Sequence, residues 1–218
     1  MKLLLTSGGL TNQSISKALF ELVGKKPEET SLIFIPTAAN VEAEDKDWPI
    51  DDLINLKNQK FKFIDIVDIA VMPQKNWQPR LEAGDVLFFG GGDTFYLMDC
   101  MNKSGLSEIL PELLKTRVYA GISAGSMVTG TDLALKLSQQ IYGEDMNKTE
   151  NQKGLGFVDF YLLPHFNSPY LRHKTEANIR EAVKDMKEKI YALDDQSALK
   201  VVDGKVEVIS EGKYLVFN

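Results

Sequence analysis

Residues 121–125 read Gly121-Ile122-Ser123-Ala124-Gly125, between the apolar run Val118-Tyr119-Ala120 and the small, helix-compatible Ser126-Met127-Val128. A serine with glycine two places to each side, at a strand-to-helix junction, is the pattern of a nucleophile elbow. Such a turn is sharp enough to strain the serine backbone, and a side chain at either glycine position would meet the neighbouring strand or helix. The spacing lifts the Ser123 hydroxyl out of the turn and sets the Ala124 amide, at the start of the helix, where an oxyanion would form. A plain flexible turn is the competing reading, and the strand before and helix after the motif argue against it.

A second loop has the same grammar. Asp85-Val86-Leu87-Phe88-Phe89 reads as a buried strand and ends in Gly90-Gly91-Gly92-Asp93-Thr94 before the helical Phe95-Tyr96-Leu97-Met98. Three glycines at the carboxyl end of a strand let backbone amides approach a ligand, as a phosphate cradle or as the second half of an oxyanion hole. No lysine follows with P-loop spacing. A tight turn capped by Asp93 or Thr94 would need fewer glycines.

A reacting serine needs a base, and the chain has only two histidines, His165 and His173. His165 ends the strand-like Phe160-Tyr161-Leu162-Leu163-Pro164 and opens the loop Phe166-Asn167-Ser168-Pro169, which places it on the same sheet edge as the serine. His173 lies in Tyr170-Leu171-Arg172-His173-Lys174, a basic stretch that reads as solvated surface. The acid that would orient the imidazole is chosen from Asp194-Asp195, at the end of the strand-like Lys189–Leu193, with Asp195 preferred. Asp132 and Asp159 are the other candidates, and turn formation is the plain explanation for any of them. Near the same edge, Asn167 and Arg172 are candidates for holding substrate, Arg172 by pairing with a carboxylate.

Taken together, Phe88–Phe95, Gly121–Ser126 and Leu163-Pro164-His165-Phe166 resemble the peptidase E (aspartyl dipeptidase) family of serine peptidases and the related cyanophycinase. The resemblance runs from the first strand to the Asp194-Asp195 loop. It implies a class I glutamine amidotransferase-like (flavodoxin-like) fold with serine in place of cysteine. It further implies Ser123 as nucleophile, His165 as base, and Gly91 or Gly92 with Ala124 as oxyanion donors, and it adds weight to Asp195 as the third member. One position departs from the family: an aspartate about fifteen residues beyond the serine is replaced by Ser138, which weakens any strict preference for amino-terminal aspartate. The order serine, histidine, acid also differs from the serine, acid, histidine order of an ordinary α/β-hydrolase.

The elements that must position these residues alternate. Lys2–Thr6, Ser31–Pro36 and Phe61–Val67 read as strands, with a helix over Ser14–Phe20 and an acidic helical stretch over residues 41–58. This predicts an α/β fold: a doubly wound, mostly parallel sheet whose ligand site lies at the carboxyl ends of the strands near the topological switch point. Residues 174–189 have the spacing of an amphipathic helix. Residues 198–202, 205–209 and 213–217 alternate as antiparallel strands and predict a small C-terminal extension at the sheet edge. The polar stretch Gly143–Lys148 is a candidate flap. With no linker or repeat, residues 1–218 are expected to form a single serine-peptidase domain.

Apolar residues make up 44 % and charged residues 26 % of the 218, enough for a substantial core. The formal net charge of −6 argues against nucleic acid and anionic membrane as partners. One cysteine, Cys100, cannot form an internal disulfide, and no run is long enough to span a membrane, so a cytoplasmic setting is expected. Two histidines in unlike contexts and one cysteine offer no metal cluster, and no cofactor is expected. The expected activity is a serine hydrolase cleaving small peptides or related amides through an acyl-enzyme. The alternatives are a cyanophycinase-like or amidotransferase-like amide hydrolase, and a noncatalytic small-ligand binder with the same pocket. A structure lacking a hydrogen bond between Ser123 and His165 would favour the binder.

Overall fold

The computed structural model describes residues 1–43, 45–134, 137, 141, 153–169, 171 and 174–218. The strands are β1 (Lys2–Thr6), β2 (Ser31–Ile35), β3 (Phe63–Ile66), β4 (Val86–Phe89), β5 (Val118–Ile122), β6 (Phe160–Leu163), β7 (Lys189–Leu193), β8 (Ser197–Val202), β9 (Lys205–Ser210) and β10 (Tyr214–Phe217). The helices are α1 (Gln13–Val23), α2 (Asp47–Asn58), α3 (Gln74–Ala83), α4 (Thr94–Lys103), α5 (Leu106–Leu113), the short α6 (Ala124–Met127) and α7 (Glu176–Val183).

Seven strands form one sheet in the order β3-β2-β4-β5-β1-β8-β9, parallel from β3 to β1 and antiparallel at β8 and β9. β2, β4 and β5 are buried at every residue, as expected of parallel strands covered on both faces. Their side chains divide with a period of two. Leu4, Leu32, Phe34, Val86 and Phe88 pack with Ile15, Leu19 and Leu56 of α1 and α2. Leu3, Leu5, Ile33, Leu87 and Phe89 pack with Trp77, Leu97 and Leu110 of α3, α4 and α5. The chain leaving β1 therefore turns to one face and the chain leaving its neighbour β5 to the other. That divergence opens a crevice at their carboxyl ends, the switch point of the sheet.

β6, β7 and β10 form a second sheet, in the order β10-β7-β6, with β6 parallel to β7 and β10 antiparallel. One of its faces, through Phe160, Leu162, Tyr191 and Leu193, joins the core of the large sheet, and the other packs under Ile179 and Val183 of α7. Here the structure corrects the sequence reading: His165 follows a strand of the second sheet, not of the sheet that carries Ser123. The tail is likewise divided, β8 and β9 extending the large sheet while β10 closes the small one. The helix read over 174–189 stops at Val183. Helices α3 and α5 lack a clear sequence signal, because each carries an internal proline, Pro79 or Pro111.

Candidate active site

Ser123 stands between β5 and α6 with φ 47° and ψ −107°, a conformation a non-glycine residue adopts only when its surroundings hold it there. The Ser123 amide donates to the Thr6 carbonyl of β1 at 3.1 Å, and its carbonyl accepts from Ser126 and Met127 of the next turn. A Cβ on Gly121 would lie 2.5 Å from Gly125, and one on Gly125 would lie 2.3 Å from the Phe89 carbonyl oxygen. Close approach of three backbone segments is thus what the two glycines permit. On the neighbouring strand end, Gly91 packs against Ser123: a Cβ there would sit 3.5 Å from the serine Cβ. Among the described residues, no acceptor takes the amide hydrogens of Gly91, Gly92 or Ala124.

His165 has a left-handed backbone, φ 61°, and its amide donates to Ser7 Oγ at 2.7 Å. Its Nδ1 lies 2.7 Å from Asp195 Oδ1, and the same oxygen accepts from Ser7 Oγ at 2.7 Å. Burial pushes the Asp195 carboxyl up, but the hydrogen bond and charge of His165, the Ser7 hydroxyl and the nearby Lys174 outweigh it, and the group is held below its ordinary value. A carboxylate at that position fixes the proton on Nδ1 and leaves Nε2 as the free base of the ring. Thr11 Oγ1 donates to the Asp195 carbonyl at 2.6 Å and pins the loop.

The antiparallel strand β8 explains how a residue from the second sheet reaches this crevice. Ala198 of β8 pairs with Thr6 of β1, so the turn that joins β7 to β8 lies at the carboxyl end of β1. β6 runs parallel to β7, and the Phe166 amide donates to the Leu193 carbonyl at 2.9 Å, which brings His165 to the same rim. Of the four carboxylates weighed from sequence, only Asp195 meets the imidazole. Asp194 holds its own turn, through Ser197 Oγ at 2.6 Å, and the Lys213 amide. Asp132 accepts from Tyr161 Oη at 2.9 Å, and Asp159 is exposed.

Asn167 lies two residues beyond His165, exposed, with φ 57° and its amide bonded to the Lys174 carbonyl at 2.9 Å. Arg172, His173, Ser138 and the candidate flap 143–148 lie outside the described residues. Lys174 is buried and reaches the Pro164 carbonyl just before the histidine. Ser7, which meets both His165 and Asp195, joins the candidate site, and Ser7-Gly8-Gly9 at the end of the first strand is the same kind of sequence signal as the other two loops. Among the described residues, Ser123 Oγ makes no hydrogen bond, with His165 or any other partner. Catalytic hydrogen bonds are commonly long in substrate-free enzymes and tighten when substrate is bound.

A doubly wound sheet that presents a serine at a strand-to-helix turn, beside amides with no acceptor among the described residues and a histidine–aspartate pair, is a framework of the class I glutamine amidotransferase kind. Residues 3–209 match peptidase family S51, and the chain belongs to that family. It is a serine-type peptidase. An uncharacterized peptidase of Listeria monocytogenes is 28 % identical over 182 residues, 83 % of this chain and 85 % of that one. A Streptomyces coelicolor protein named peptidase E is 29 % identical over 128 residues, 56 % of this chain and 51 % of that one. A crystal structure of a Listeria monocytogenes protein provisionally called peptidase E superposes with a TM-score of 0.78 at 24 % identity, over 97 % of this chain and 98 % of that one.

Proposed function

We propose that the protein is a peptidase of the peptidase E type that hydrolyses small peptides through an acyl-enzyme on Ser123. The observation that carries this reading is the 2.7 Å contact of His165 Nδ1 with Asp195, at the rim that also holds the strained Ser123. In the proposed reaction His165 Nε2 takes the Ser123 proton as Oγ attacks the carbonyl carbon of the peptide bond. The Ala124 amide, with Gly91 or Gly92, receives the oxyanion, each such donor contributing about 10²–10³-fold to kcat. The intermediate collapses, the C–N bond breaks, and His165 returns the proton to the leaving amine. Water, deprotonated by His165, then releases the acyl group from Ser123. Asn167 and Arg172 are proposed to contact substrate, Arg172 through a carboxylate.

A second reading has one observation in its favour. The Ser123 hydroxyl without a hydrogen bond to His165 suits a binder that retains the pocket and not the chemistry. A fluorophosphonate probe separates the two. An activated Ser123 forms a phosphonyl adduct, read as a mass shift on the peptide containing residues 121–127 and absent in Ser123→Ala. No adduct in the parent protein contradicts the acyl-enzyme.

A further inference from the structure

Thr6 and Ser7 are consecutive at the carboxyl end of β1, and each is tied to a different half of the site. The Thr6 carbonyl accepts from the Ser123 amide at 3.1 Å and from Ser126 Oγ at 2.8 Å, while Thr6 Oγ1 donates to the Gly121 carbonyl at 2.7 Å, so Thr6 holds the elbow. Ser7 turns to the other half. Its Oγ accepts from the His165 amide and donates to Asp195 Oδ1, both at 2.7 Å. Consecutive Cα atoms are about 3.8 Å apart, so this one strand end spaces a nucleophile and a base whose supporting strands belong to different sheets.

The hydrogen bonds of Ser7 form a closed circuit. A backbone amide can only donate, so the Ser7 oxygen accepts from His165 and its one hydrogen is directed at Asp195. The same carboxylate oxygen takes the Nδ1 hydrogen of the imidazole at 2.7 Å. The circuit therefore starts on the His165 backbone and ends on the His165 side chain, and both are held at once. Neighbouring amides have no such tie to the large sheet: Pro164 has no N–H, Phe166 donates to Leu193 of β7, and Asn167 donates to Lys174. Ser7 is fully buried, and a Cβ on Gly8 would lie 2.8 Å from Asp195 Cβ, so the turn after β1 packs directly on the acid.

Resting on the acyl-enzyme reading above, we infer that Ser7 is a positioning residue for the general base: its hydroxyl locks the His165 backbone, the His165 imidazole and the Asp195 carboxylate in the arrangement that keeps the proton on Nδ1 and leaves Nε2 free. Without that hydroxyl the buried His165 amide loses its acceptor, Asp195 Oδ1 keeps one of its two side-chain donors, and nothing from the large sheet restrains the left-handed backbone of His165, φ 61°. What is lost is the orientation of the base and not a contact with substrate. The effect falls on the rate at which Ser123 attacks.

The test is the rate of Ser123 phosphonylation by a fluorophosphonate in the parent, in Ser7→Ala, Ser7→Cys and Asp195→Asn, and in the double variant Ser7→Ala with Asp195→Asn. Ser7→Ala is expected to slow the reaction about 10- to 100-fold, the range of a hydrogen bond to a charged group. Cysteine fills the place of the serine with a much weaker donor, so Ser7→Cys is slowed to a similar extent, and a parent-like rate in Ser7→Cys overturns the inference in favour of plain packing. Because Ser7 acts through Asp195, the slowing shrinks to about 3-fold or less in the Asp195→Asn background, and an equal factor in both backgrounds also overturns it. Proton NMR gives a reading independent of turnover and of the probe. The low-field Nδ1–H resonance of His165, absent from Asp195→Asn, is expected to be protected from exchange in the parent and lost in Ser7→Ala and Ser7→Cys. Equal protection in the parent and Ser7→Ala, or no such resonance in the parent, overturns the role of Ser7, whereas absence of a phosphonyl adduct in the parent contradicts the acyl-enzyme alone.

Discussion

Asp195 Oδ1 accepts two hydrogen bonds, from His165 Nδ1 and Ser7 Oγ, and this one atom sets which nitrogen of the imidazole is free. Replacement by asparagine keeps the shape but turns the acceptor arrangement around, so that the ring is held in the wrong tautomer. Asp195→Asn is expected to lower kcat by about 10⁴-fold, the effect of that exchange in a serine–histidine–aspartate triad, with KM nearly unchanged. Steady-state kinetics on a cleaved dipeptide gives the split, and a change confined to KM would contradict the positioning role. At this scale the sequence was informative where a residue type is scarce. Two histidines and one Gly-x-Ser-x-Gly left few combinations. It was uninformative for Ser7, since a serine in a turn is ordinary until the fold brings it beside Asp195.

The elements are held at the end of the sheet away from the crevice by a compact polar clasp. Asp85, just before β4, accepts from the Ser31 amide at 2.9 Å, Ser31 Oγ at 2.8 Å and Lys25 Nζ at 2.6 Å. Burial raises its carboxyl, but Lys25 and both Ser31 donors outweigh burial and hold it below the ordinary value. A carboxyl lowered by folding stabilises fully above its unfolded value, about 3.9, and that stabilisation is lost as pH falls through the folded value. Asp85→Asn is therefore expected to lower stability by about 1–3 kcal/mol at neutral pH, with the difference from the parent shrinking as pH drops below that value. Urea midpoints at several pH values check this, and a pH-independent difference would contradict it. Activity at neutral pH should be unaffected. Strands were the most legible elements, because β2, β4 and β5 are short, largely apolar runs. The prolines in α3 and α5 obscured helices whose apolar faces are otherwise intact, Leu106 and Leu110 among them.

The whole molecule is two sheets sharing one core. Leu5, Phe89 and Tyr119 of the large sheet and Phe160, Tyr191 and Leu193 of the small one belong to a single buried cluster. If residues 1–218 behave as one domain, unfolding followed by tryptophan fluorescence, from Trp48 and Trp77 beside the large sheet, coincides with unfolding followed by far-ultraviolet circular dichroism. Two separated transitions would contradict this. Local patterns carry no information about which sheet a strand joins, so the sequence could place His165 after a strand but not on the second sheet. The antiparallel pairing of β8 with β1 helps bring that sheet to Ser123. Among the described residues, no helix is long and apolar enough to cross a membrane. Whether this converging rim cleaves peptides at Ser123 is tested by hydrolysis of a dipeptide panel varied at the amino-terminal residue, aspartate included, by the parent protein and by Ser123→Ala. The parent is expected to cleave at least one dipeptide and the variant none above background. Equal rates for the two proteins, or no cleavage across the panel, would contradict it.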